Sequence, residues 1–134
     1  MLKINVIYLI LFLSLTACSG VVTKKKAEVL QESIKQYNIA LRWAQYNKVQ
    51  DYHKKRDGSD SRIDRDALKN IRVTGYTVQE KVINEELTEA TVKGVIDYYN
   101  NEYATLKKID FTYVWWYEAE SKRWFNESDL PDFQ

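Results

Sequence analysis

The stretch Ile109-Asp110-Phe111-Thr112-Tyr113-Val114-Trp115-Trp116-Tyr117-Glu118 decides the fold class of this chain. Side chains alternate across a β-strand, so Ile109, Phe111, Tyr113, Trp115 and Tyr117 share one face. That face is wholly apolar or aromatic and has to be covered. Asp110, Thr112, Val114, Trp116 and Glu118 share the other, where Trp116 stands among mostly polar neighbours. The residues leave three covers open: a helix that makes the face a core, a ligand that makes it a pocket, or a second copy that makes it a homodimer seam.

Working outward, the same period of two recurs. Ala90, Val92, Gly94, Ile96 and Tyr98 alternate with Thr91, Lys93, Asp97 and Tyr99 over Thr88–Tyr99. Ile71–Ile83 carries Val73, Tyr76, Val78 and Val82, with Gly75 placed for a bulge. Leu106–Glu118 is the clearest strand, and a shorter one spans Lys122–Asn126. Asn84-Glu85-Glu86 and Asn100-Asn101 are turns. A last turn at Ala119-Glu120 would set Trp115 opposite Trp124 and Trp116 opposite Arg123, as a cation–π pair. Four successive strands with short turns make an antiparallel meander.

Upstream of the strands the period changes. From Ala27 to about Tyr52 there is no Gly or Pro, and Leu30, Ile34, Tyr37, Leu41 and Ala44 recur at spacings of four and three. That is the apolar stripe of an amphipathic helix, widened by Ala40 and Trp43. One helix, or two with a bend near Gln45–Lys48, is expected here. Lys54–Arg65 is a polar crossover with Asp57-Gly58 as a turn, and Ser61 with Asp64 forms a capping box for a short helix over about 63–70. The fold class is therefore α+β: an N-terminal helix, or two, packed on a curved four-stranded antiparallel sheet.

The first residues have another composition. Lys3 precedes an apolar run from Ile4 to Leu15, then Thr16 and Ala17, which is the layout of a signal peptide over residues 1–17. The run is shorter than the ~20 residues that span a bilayer. Leu15-Thr16-Ala17-Cys18 resembles the lipobox of bacterial lipoproteins. That resemblance implies cleavage before Cys18 and acylation of Cys18, the only cysteine, giving a membrane partner through a lipid anchor. Ser19 after the cysteine is not an inner-membrane retention signal in the enterobacterial pattern, so the expected location is the envelope, at the outer membrane, facing the periplasm. Residues 18–26 read as a short extended tether reaching about 17 Å over five residues, and 27–134 as one domain. Lys24-Lys25-Lys26 either touches anionic headgroups or forms a solvated helix turn.

Composition excludes several functions. The leader takes one of the 20 Lys and Arg and none of the 19 Asp and Glu, so the remaining side chains sum to zero charge. A phosphate-binding protein needs a basic excess, so no nucleic-acid partner is expected. His53, the only histidine, has no second imidazole or thiol for a zinc site and is expected on the surface near the helix end. Asp57, Asp60, Asp64 and Asp66 do not follow a calcium-loop spacing. No cofactor or metal is expected.

The element order, with the helix YNIALRWAQYNKVQDYH before four strands ending in Arg123-Trp124-Phe125, resembles the nuclear transport factor two-like, or cystatin-like, superfamily. The resemblance covers about residues 27–126. It implies a helix in the hollow of a curved sheet, and a cone that opens as a pocket. Enzymes of that group suggest one catalytic alternative, with Asp97 or Asp110 as base and Tyr98 or Tyr113 as proton donor. The preferred expectation is a non-enzymatic module that binds an envelope protein or another envelope component through an aromatic surface, and the alternative is a cone pocket for an apolar small molecule, with or without that catalysis. Its candidate contact residues are Trp116, Tyr113, Trp115, Tyr117, Tyr98, Tyr99 and Trp124.

Overall fold

A helix of 26 residues, α1, runs from Ala17 to Arg42. The computed structural model describes residues 17–134, with side chains from Lys24 onward, so the apolar run before Ala17 and the side chain of Cys18 lie outside the described residues. The backbone of 19–23, expected to be extended, is part of this helix. Leu30, Ile34, Tyr37, Ala40 and Leu41 are buried, as their spacing requires. Trp43 corrects the stripe: it is 73% exposed, because at ~100° per residue it lies about 140° round the helix from Leu30.

The helix stops without a glycine. Ala44 takes a left-handed φ of 53°, Gln45 N donates to Ala40 O at 2.8 Å, and Ala44 N donates to Leu41 O at 3.3 Å. This pair of bonds is a Schellman closure. It turns the chain into α2, Tyr46–Tyr52, which buries Val49. The crossover then leads to α3, Arg65–Leu68, capped by Asp64. Asp64, and not Ser61, accepts from the nitrogens of Asp66 and Ala67, both at 3.1 Å. The Ser61 hydroxyl donates instead to His53 O at 2.9 Å.

Strands β1 (Ile71–Ile83), β2 (Glu89–Asn100), β3 (Leu106–Glu118) and β4 (Arg123–Asn126) follow. They form an open antiparallel sheet in the order β1-β2-β3-β4. The expected bulge at Gly75 is present, and a second lies between Val78 and Glu80. Ala90, Val92, Ile96 and Tyr98 of β2 join Phe111, Tyr113 and Trp115 of β3 in a single core beneath α1. Gly94 sits opposite Phe111, and a Cβ there would lie 2.0 Å from Thr77 O and 2.7 Å from the Phe111 ring. Its missing side chain lets Phe111 reach across to stack on Tyr76, with ring centroids 4.7 Å apart.

The last hairpin differs from the expectation. Tyr117 pairs with Trp124, Trp116 with Phe125 and Trp115 with Asn126. A two-residue turn needs glycine or its equivalent at a left-handed position. The loop Ala119-Glu120-Ser121-Lys122 has none and uses Lys122 in that role, with φ 54°. The register moves by two residues, which leaves every side chain on its expected face.

Candidate functional site

The candidate contact residues separate into three places. Trp115, Trp124, Tyr113 and Tyr98 are buried. Tyr37 meets Tyr113 and Trp115 edge to face, at 5.9 and 5.5 Å between centroids. The aromatic face of β3 is therefore core, and side chains occupy the space where a cone pocket was expected. Tyr117 is half-buried against Trp124 at 5.4 Å, beneath the Lys26 ammonium at 4.5 Å. Tyr99 is half-buried on the opposite face of the sheet.

Trp116, also half-buried, is engaged internally. Its indole Nε1 donates to Lys54 O at 2.6 Å, its ring lies 5.7 Å from Phe125, and the Arg56 guanidinium stands 5.9 Å over it. The expected partner, Arg123, lies over Phe125 instead, at 4.9 Å. Arg56 is in turn held by both Glu127 oxygens, at 2.9 and 3.0 Å. Trp116 thus clamps the crossover onto the outer side of the sheet.

The acid–base candidates do not converge. Asp97 lies against Lys108, and Asp110 is exposed on the outer face, away from Tyr98 and Tyr113. A different polar cluster lies inside the domain, and it was missed because His53 was expected on the surface. His53 is only 7% exposed. The signal was available, since Tyr46, Val49 and His53 repeat at three and four, the spacing of one helix face.

His53 forms a parallel bridge with Asn126, which carries the crossover alongside β4, and its Nε2 lies 2.8 Å from the Tyr37 hydroxyl. The Ser128 backbone and Asp129 near the ring favour its protonated form. The Tyr37 hydroxyl can donate to Nε2 or accept from it, according to the tautomer of the ring. Burial outweighs the Ser128 and Asp129 contributions and lowers the His53 pKa to about 4, so the ring is neutral near pH 7. Burial likewise raises the Tyr37 and Tyr113 phenols well above their ordinary range. The Tyr113 and Asn126 side chains oppose that rise at Tyr37, although neither Tyr113 Oη nor Asn126 Nδ2 reaches a partner with good hydrogen-bond geometry. The cluster is a buried set of neutral groups in which Tyr37 and His53 meet while the Tyr113 hydroxyl and the Asn126 amide nitrogen stay without a partner.

The same histidine forms the floor of a cleft of about 300 Å³ between the crossover and the segment 129–133. Among the described residues, no group of three or more His, Cys, Asp or Glu is placed to hold a metal ion. No helix among them is long and apolar enough to cross a membrane. Comparison of the chain with protein-family models, with curated proteins and with solved structures finds no match.

Proposed function

We propose that this chain is a lipid-anchored module of the bacterial envelope that faces the periplasm and binds another envelope component without catalysing a reaction. The observation that carries the anchor is the run Leu15-Thr16-Ala17-Cys18 at the end of the apolar segment Ile4–Leu15. The helical backbone from Ala17 onward adds a mechanical consequence. Twelve residues separate Cys18 from the buried Leu30, about 18 Å at ~1.5 Å each. A stiff link of that length would hold the domain near the lipid surface, and Ser19 after the cysteine favours the outer membrane.

The engagement of His53 Nε2 and of Asp97 by neighbouring side chains supports a binding rather than a catalytic role. A general base needs a lone pair presented to substrate. His53 Nε2 is engaged with Tyr37, and Asp97 is paired with Lys108. Large apolar side chains do remain in water at Ile39 on α1, at Trp43 just past its end, and at Tyr103 and Leu106 by the β2–β3 turn. Those positions, more than Trp116, are where a macromolecular contact is expected.

Metabolic labelling with an alkyne fatty acid tests the anchor. The native chain should carry label in the membrane fraction, and Cys18→Ala should carry none and leave that fraction or accumulate unprocessed. Equal labelling of both would end the proposal.

A further inference from the structure

We propose that the cleft between Ser61–Leu68 and Asp129–Phe133 is a binding site for a small amphiphilic amine, a compact apolar body bearing a protonated nitrogen. The site would be the ligand-binding element of the module proposed above. It depends on that binding role and not on the anchor.

The walls set the apolar part. Ile63 and Leu68 line one side, and Leu130, Pro131 and Phe133 the other. All of these except Leu68 are half-exposed, so a ligand would remove apolar surface from water. The volume of about 300 Å³ is at the lower end of the range for small-molecule sites, which begins at roughly 300 Å³.

Part of the floor's hydrogen-bonding capacity is already engaged, which disfavours a ligand that depends on many hydrogen bonds. His53 Nε2 is engaged with Tyr37, and the Ser61 hydroxyl donates to His53 O. Asp64 Oδ1 accepts from the nitrogens of Asp66 and Ala67. A sugar or a polar metabolite would lose water there without gaining equivalent bonds.

The rim sets only the sign of charge. Asp64, Asp129 and Asp132 stand there with one cation, Arg62. The Arg62 guanidinium is 3.8 Å from Asp60, and Lys55 approaches Asp129 from outside at 3.7 Å. The rim stays net negative, which favours a cationic head and disfavours a carboxylate.

One wall is also able to yield. Among the described residues, the segment 129–134 makes no backbone-to-backbone hydrogen bond. It is held by the Phe133 ring on Tyr98, at 4.9 Å, by Tyr98–Gln134 bonds of 3.3 Å and by Lys107 Nζ on Gln134 O at 3.0 Å. Segments held by so few contacts open at low free energy. The cleft can therefore widen around a ligand without disturbing the sheet.

The test uses one ring with three charges, namely tryptamine, indole and indole-3-acetate, added to the full chain purified from membranes in detergent. Tryptamine at tenfold excess over its dissociation constant should raise the melting midpoint by about 5 °C. Indole should bind more weakly, and indole-3-acetate should give no shift. Ala67→Trp fills the cleft from an exposed position and should abolish the tryptamine shift while the ligand-free midpoint is kept. No shift with any of the three, an equal shift with indole-3-acetate, or a full tryptamine response in Ala67→Trp would each overturn the site. Acylation of Cys18 is scored separately, so an unlabelled chain that still binds tryptamine defeats the anchor alone.

Discussion

The Tyr37 hydroxyl of α1 lies 2.8 Å from Nε2 of His53, joining the helix to the start of the crossover inside the core. Burial is what disfavours the protonated ring, because a charged imidazole there would lose its hydration. Burial holds the folded pKa at about 4 against an ordinary 6.5. Between these values the unfolded chain binds the proton that the folded chain refuses.

Stability is therefore expected to be full above pH 6.5, to fall as the pH drops towards 4, and to flatten with respect to His53 below that. A difference of about 2.5 pKa units corresponds to roughly 3 kcal/mol. Urea midpoints at pH 7.5, 5.5 and 4.5 should show the decline. His53→Gln should be less stable at pH 7.5 and should lose most of the slope. An unchanged slope in that variant would place the titration elsewhere.

Trp116 is expected to matter for folding. Its indole bond to Lys54 O and its contacts with Phe125 and Arg56 tie the crossover to β3. Trp116→Phe keeps a ring and removes the donor, for a loss of about 1 kcal/mol. Trp116→Ala should lose about 3 kcal/mol. Equilibrium unfolding of both variants measures the difference. Native stability in Trp116→Ala would restore the residue to the role of a free contact surface.

Ala44 offers a change in the opposite direction. A residue with a Cβ in the left-handed region is strained by about 1–2 kcal/mol, whereas glycine is not. The Schellman bonds from Ala44 and Gln45 use only backbone atoms and survive substitution. Ala44→Gly should stabilise by about 0.5–1 kcal/mol after the larger unfolded-state entropy of glycine is subtracted. Ala44→Val should destabilise. A higher denaturant midpoint for glycine and a lower one for valine, with unchanged slopes, is the expected pattern.

Local periodicity carried the element types and the faces of their residues. Ile71–Ile83 and Leu106–Glu118 are strands over the limits that their patterns suggested. The alternating set from Ala90 to Tyr98 points into the core because neighbouring side chains on a strand cannot share a face. Trp43 shows the limit of such reading, since a large apolar residue near a stripe was assigned to it although its angle placed it in water. The cap of α3 moved from Ser61 to Asp64 for a similar local reason, because either side chain can serve and tertiary contacts claimed Ser61 for His53.

The sequence by itself determined an α+β meander, the one-sided aromatic row of β3, the leader pattern and the position of the only cysteine, because these follow from neighbours along the chain. The rest was decided by the tertiary structure. The pairing of Tyr117 with Trp124 depends on how a glycine-free loop closes. The burial of His53 depends on the crossover lying beside β4 at Asn126. The cleft depends on where the segment 129–134 returns beneath Tyr98. Each of these joins residues far apart in sequence, and whether such groups meet is set by the balance of packing and loop closure over the whole chain, which no local pattern contains.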